Sequence, residues 1–330
     1  MLVVCVSLLV AIIVIYYSCE LFVNGIEWVG QKFNIAQSAV GSVLAAFGTA
    51  LPESVVTLVA VTFNASAEQK DIGVGAALGG PLVLGTIAYA VVGACIIYYR
   101  KKQKLESNIE IDGTKLSRDQ LWFVSIFIFK ILLGLVIFSW KPWTGIFFLA
   151  VYALYFHKEM SAERVSSDDA ALEPLKFRPK ADNPQTFWVV LQTLTALVLI
   201  FASSHLFVKN LEAVSILLNV PPLIVALLLS PIATELPEIL NTVIWVRQGK
   251  EKLALGNISG AMMIQATVPS AVGIFFTPWY FDAHLIWSGV VTLLSVIYLL
   301  ITFKQHKLFP VRLMYAGAFY LLFAAIFLVK

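Results

Sequence analysis

Long apolar segments recur along the full length of this 330-residue chain, and they dictate its class. Each approaches the roughly 20 residues that a helix needs to cross a bilayer. Hydrophobic residues make up 59% of the chain and charged residues 13%, against about a quarter charged in soluble domains. No soluble core of this size hides that much apolar surface. The expectation is an all-α integral membrane protein.

Ten spans are predicted, at about 2–28, 35–63, 72–99, 119–139, 143–157, 185–208, 220–246, 253–276, 283–303 and 309–329. The fifth is short and the fourth carries Lys130. Basic residues test the count. Eighteen of the 23 Lys and Arg fall in alternate loops, which would share one side, and four on the other. The positive-inside bias makes the richer side cytoplasmic and both termini extracytoplasmic. Cys5, Cys19 and Cys95 lie in apolar stretches without CxxC or His-rich company and suggest neither disulfides nor a metal centre. The N-terminus lacks the basic and small-residue features of a cleaved signal and reads as a retained first helix. The expected location is the inner (plasma) membrane, with no nucleic-acid partner. Oligomeric state is left open.

The sequence repeats itself. Leu21-Phe22-Val23 recurs as Leu206-Phe207-Val208, and Thr49-Ala50-Leu51-Pro52-Glu53 matches Thr234-Glu235-Leu236-Pro237-Glu238 at the same offset. Gly75 and Gly79 correspond to Gly256 and Gly260 at a slightly smaller offset. Five spans per half is an odd number, so the second half enters the membrane from the opposite side and the repeat is inverted. Residues 1–157 are expected to form the first five-helix repeat and 185–330 the second. Residues 158–184, with Pro174, Pro179 and Pro184, read as a solvated cytoplasmic connector.

Polar chemistry concentrates in the second and seventh spans. Glu53, Glu235 and Glu238 lie well inside them, and no Lys or Arg shares those spans. A carboxylate at mid-helix costs about 3 kcal/mol on insertion scales, so the three need a counter-charge. A bound cation or proton supplies it. Pro52 and Pro237 cannot donate a backbone hydrogen bond and clash with the carbonyls of Gly48 and Ala233, which are freed to coordinate a hard cation. Thr49 and Thr234 add a hydroxyl or carbonyl oxygen one turn earlier. Helices 2 and 7 should therefore be broken at their prolines. A structural polar clasp would explain one such motif; two symmetric copies favour an oxygen cage. Gln265, deep in the eighth span, is either a ligand of that cage or an interhelical hydrogen-bond partner.

Gly48-Thr49-Ala50-Leu51-Pro52-Glu53 and Ala233-Thr234-Glu235-Leu236-Pro237-Glu238 resemble the paired G-T-S-x-P-E signatures of the sodium/calcium exchanger family. Ala254-Leu255-Gly256-Asn257-Ile258-Ser259-Gly260 resembles the segment opening the third helix of each family repeat. The chain looks like a short, bacterial-type member. The resemblance implies alternating access, with Glu53 and Glu238 as principal carboxylates for Ca²⁺ and Na⁺, and Thr49 and Thr234 as oxygen donors. The chain departs from the pattern where the family has Ser: Ala50, Glu235, Gly80 and Ala261 stand there, and Leu84 and Gln265 replace Asn or Asp. One half loses polar ligands while the other gains a carboxylate.

The expected function is secondary cation antiport, Ca²⁺ against Na⁺ or H⁺, with transported ions in place of a cofactor. The alternative is a Na⁺/H⁺ exchanger of the same fold. A cation channel is disfavoured by the inverted duplication. An enzyme is disfavoured by the scattered histidines His157, His205, His284 and His306 and the absence of HExxH.

Overall fold

A computed structural model describes residues 2–50, 67–104, 109, 113–161, 172–217, 228, 230–305 and 308–329. The described residues fold into helices: α1 (Leu2–Lys32), α2 (from Gln37, with a π segment Val40–Ala45), and α3 (Ala67–Val83, a π segment Leu84–Ala88, then Tyr89–Lys102). They continue with α4 (Gly113–Leu135), α5 (Thr144–Met160), α6 (Thr186–Leu217), α7a (Ser230–Thr234), α7b (Leu236–Arg247), α8 (Glu251–Phe276), α9 (Ala283–Phe303) and α10 (Pro310–Val329). Among the described residues, five helices are long and apolar enough to cross a membrane by length and composition alone. The fourth span starts earlier than expected, because Lys115 and Arg118 lie in its first turns rather than in a loop.

Burial assigns each helix its place. In α8 nearly every residue from Leu253 to Ile274 is buried, so the helix is enclosed by protein on all sides. Its neighbours are α2, α3, α4, α5 and α7b. Gly260 allows the closest approach, since a Cβ there would overlap the carbonyl oxygen of Ser42 in α2. By contrast α1 and α6 pack along each other and expose Val3, Leu9, Ile13, Leu194 and Val198. An apolar outer surface of this kind is stable against lipid tails and not against water.

Contacts between loops confirm the parity of the spans. Lys32 at the end of α1 hydrogen-bonds Asn183 of the connector. Lys250, between α7b and α8, pairs with Glu27 at 2.5 Å. Arg100 near the end of α3 meets Glu251 at 3.1 Å. Ile109 pairs through its backbone with Leu308. The loops after α1, α3, α5, α7b and α9 therefore share one end of the molecule, and these are the loops that carry the basic residues. At the other end Lys141 donates to the Trp279 carbonyl at 2.8 Å, and Phe281 N–H to Gly134 at 3.0 Å. This joins the α4–α5 and α8–α9 loops.

The connector departs from its sequence reading. Around Glu173–Phe177 its backbone is held against the helices, although most side chains of this stretch stay exposed. Asn24 Nδ2 donates to the carbonyls of Glu173 and Pro174 at 3.3 Å, and Trp28 Nε1 to Glu173 at 2.9 Å. Lys176 N–H returns a bond to Asn24 Oδ1 at 3.1 Å, and Phe177 N–H reaches Gln192 Oε1 at 2.8 Å. Leu175 is fully buried with Trp28 and Val189. A backbone lying against α1 and α6 must place its polar groups somewhere, and Asn24 and Gln192 receive them.

Candidate cation site between helices 3, 7 and 8

The seventh span breaks where the sequence requires. Glu235 leaves helical geometry with φ −82° and ψ 3°, and α7b restarts at Leu236 with Pro237 at its beginning. A proline in the first turn of a helix forfeits no hydrogen bond, because that N–H has no intrahelical acceptor. The break puts Glu235 at the junction and Glu238 in the first turn of α7b, and both side chains are fully buried. The partial positive charge of a helix N-terminus favours a carboxylate there. The corresponding break in the second span, with Pro52 and Glu53, lies outside the described residues.

Glu235 has a partner across the helix interface: Gln265 Nε2 of α8 donates a short hydrogen bond to its Oε1. The interhelical role of Gln265 is thus realised. Its amide keeps one oxygen, which a cation can also use. The feature that permits this pair is Gly80 of α3. A Cβ at Gly80 would overlap Gln265 Oε1 and stand 2.6 Å from Glu235 Oε1. The neighbouring Gly79 likewise leaves room for Pro231 of α7a, whose Cγ would lie 2.7 Å from a Cβ at that position. The sequence marked Gly79 as a repeat position and Gly80 as a place where the family carries Ser. Their specific use is to make space for a third carboxylate.

Both threonines spend their hydroxyl protons on their own helices. Thr49 Oγ1, buried, donates to Ala45 at 3.0 Å. Thr234 Oγ1 donates to Pro231 at 3.2 Å. Such a bond fixes the hydroxyl and leaves its lone pairs for a cation. The Glu238 backbone carbonyl accepts Asn257 Nδ2 at 3.3 Å and Thr242 Oγ1 at 2.5 Å. Asn257 therefore anchors α8 to α7b. Among the described residues no cluster of three His, Cys, Asp or Glu side chains of metal-binding type occurs; the third predicted carboxylate, Glu53, lies outside them.

Two helix-interior prolines add a feature that the sequence reading missed. Pro81 in α3 and Pro269 in α8 each lack the N–H that would bond the carbonyl four residues earlier. Those carbonyls belong to Ala77 and Gln265. Lys130 Nζ donates to the first at 2.6 Å, and Ser270 Oγ reaches the second at 3.5 Å. Both prolines stood in plain view in the sequence; what they freed could not be read without knowing the neighbouring helices.

The sodium/calcium exchanger protein family matches residues 3–157 and 188–330, nearly the whole chain. The chain belongs to this family. It is a multi-pass membrane protein with ten transmembrane helices in two inverted five-helix repeats, and its work is secondary active cation antiport, not enzymatic catalysis. It is 25% identical over 308 residues to the inner membrane protein YrbG of Escherichia coli, covering 90% of this chain and 88% of YrbG. An uncharacterized membrane protein of Methanocaldococcus jannaschii is 24% identical over 297 residues, 88% of this chain and 86% of that protein. Among solved structures, the sodium-calcium exchanger NCX_Mj soaked with Na⁺ and Sr²⁺ superposes with a TM-score of 0.75 at 22% identity, covering 98% of this chain and 99% of that one. At that identity the superposition speaks for the fold.

Proposed function

We propose that this exchanger moves Ca²⁺ against Na⁺ or H⁺ by alternating access, with the cations held by Glu53, Glu235 and Glu238 and by oxygens of Thr49, Thr234 and Gln265. The observation that carries the reading is the break at Glu235, which buries two carboxylates within one turn and sets one of them against Gln265. Bare buried carboxylates are costly. An empty site therefore reorients with difficulty, and a loaded one easily, which is the basis of obligatory exchange.

A second reading, Na⁺/H⁺ exchange without Ca²⁺, is favoured by the same Glu235. A carboxylate standing where the family carries Ser offers a place for a proton, and its hydrogen bond to Gln265 constrains one of its oxygens. The decisive experiment is reconstitution of the full chain into proteoliposomes, with Ca²⁺ uptake driven separately by Na⁺ and by H⁺ gradients. Ca²⁺ uptake under either gradient supports the first reading. Gradient-driven monovalent exchange without Ca²⁺ movement replaces it by the second. In the variant Glu235→Gln the pH dependence of transport should change. A profile identical to that of the unaltered protein removes Glu235 from the proton-carrying role.

We also infer that the basic end of the molecule faces the cytoplasm, with both termini outside, in an inner (plasma) membrane. The positive-inside bias supports this orientation, and the similarity to YrbG, an inner membrane protein of Escherichia coli, supports the location. Cysteine accessibility at the two ends of the chain tests it; labelling from the cytoplasmic side alone would reverse the assignment.

A further inference from the structure

Lys130 lies five residues before the end of α4 and is fully buried. None of the ion pairs among the described residues includes it. Its Nζ donates to the Ala77 carbonyl of α3 at 2.6 Å, the oxygen that Pro81 deprives of a helical partner. The ring centroids of Phe127 and Trp279 stand 5.1 and 5.9 Å from Nζ. Trp279 closes over the lysine, donating its indole N–H to the Lys130 carbonyl at 3.4 Å. Trp279 is itself held at φ +48° and fully buried, with Lys141 on its carbonyl.

This environment is one that suits a cation. A carbonyl oxygen and aromatic faces are what a desolvated cation seeks. A freed carbonyl alone needs no charge: a hydroxyl satisfies it, as Ser270 Oγ does for Gln265 in α8. A buried charge is costly unless opposite charge lies nearby. Ala77 is one helical turn from Gly80, the residue in direct contact with Glu235 and Gln265. The lysine and the Glu235–Gln265 pair thus meet α3 within one turn of each other.

We propose that Lys130 is a tethered cation: its ammonium occupies an α3 carbonyl position beside the transport site and lowers by one the number of monovalent ions the site takes up per cycle. The inference rests on the antiport reading above. It makes Lys130 a specificity-determining residue that never leaves the protein, and it explains why a membrane helix retains a fully buried lysine. Removing the charge uncovers the Ala77 oxygen and increases the net negative charge of the site. Both changes favour an additional monovalent ion.

The test uses the full chain in proteoliposomes, comparing the unaltered protein with Lys130→Met and Lys130→Arg. Two quantities are read: the half-saturating Na⁺ for exchange, and the coupling number from the ion gradients at which net Ca²⁺ flux is zero, with Na⁺ and H⁺ as separate drivers. Lys130→Met should lower half-saturating Na⁺ about tenfold and raise the coupling number by one. Lys130→Arg, which keeps the charge, should retain the original coupling number. A coupling number unchanged in Lys130→Met, or raised in Lys130→Arg, overturns the proposal and reduces Lys130 to a structural cap on α3. If Lys130→Met does not fold, the double variant Pro81→Ala/Lys130→Met restores an N–H for the Ala77 carbonyl. Loss of the charge must then still lower half-saturating Na⁺, and an unchanged value overturns the proposal. An unaltered protein that shows no exchange under either gradient sinks the antiport reading together with this one; exchange with unaltered coupling in the variants sinks this one alone.

Discussion

The third helix of the first repeat and its counterpart α8 in the second descend from one pattern and now contribute opposite things. α8 offers side-chain groups: Gln265 to Glu235, Asn257 to the Glu238 carbonyl, and Ser259, 3.1 Å from the Tyr89 hydroxyl. α3 offers space and backbone: Gly79 and Gly80 against α7a and the Glu235–Gln265 pair, and the Ala77 carbonyl to Lys130. Each has an interior proline that frees one carbonyl, but one carbonyl meets a charge and the other a hydroxyl. A duplicated backbone fixes where the oxygens can be. Substitutions on either side then decide which are used, and an added carboxylate in one half is accommodated by a side chain deleted from the other.

The largest expected effect asks whether the halves carry equal weight in ion binding. Glu53→Gln and Glu238→Gln each remove a charged ligand, worth about 1.5–3 kcal/mol, so half-saturating Ca²⁺ should rise roughly 10- to 100-fold in either variant. Isotopic Ca²⁺ uptake measures this. A large loss from only one of them would break the assumed symmetry.

The next experiment addresses the space given up at Gly80. Gly80→Ser restores the residue type the family carries, and its Cβ would collide with the Glu235–Gln265 pair. Overpacking of this kind costs about 1–3 kcal/mol, visible as earlier thermal unfolding of the detergent-purified protein. Combined with Glu235→Ser, the contact with Glu235 is removed and Gln265, released from its hydrogen bond, can withdraw from the new side chain, so the two changes should couple favourably by about 1 kcal/mol or more. Strict additivity would show that the glycine and the extra carboxylate are unrelated.

The smallest effect concerns the α8 proline. Pro269→Ala returns an N–H to the Gln265 carbonyl. If that carbonyl contributes to ion binding as a neutral oxygen, half-saturating Ca²⁺ should shift about threefold, the scale of one neutral hydrogen bond. No shift would assign the oxygen to Ser270 alone.

Much of this arrangement was legible in the sequence, for specific reasons. The helices announced themselves because lipid demands long apolar runs. The break at Glu235 followed from Pro237, and the grouping of loops followed from the placement of Lys and Arg. What stayed hidden depended on which helices touch. Lys130 read as an oddity in a weak span, since only the fold brings it to Ala77. Gly80 read as a lost polar ligand until Gln265 and Glu235 were found against it. The segment after Leu172 read as solvated because its prolines and charges resemble a linker, whereas Asn24 and Gln192 absorb its backbone polar groups.

The seating of Glu173–Phe177 on Asn24, Trp28 and Gln192 has a practical corollary. That stretch leads directly into the C-terminal repeat yet is gripped by the first helix of the N-terminal one. A chain cut ahead of Leu172 would keep this clasp. Its two fragments, produced as separate polypeptides, should therefore find each other and copurify.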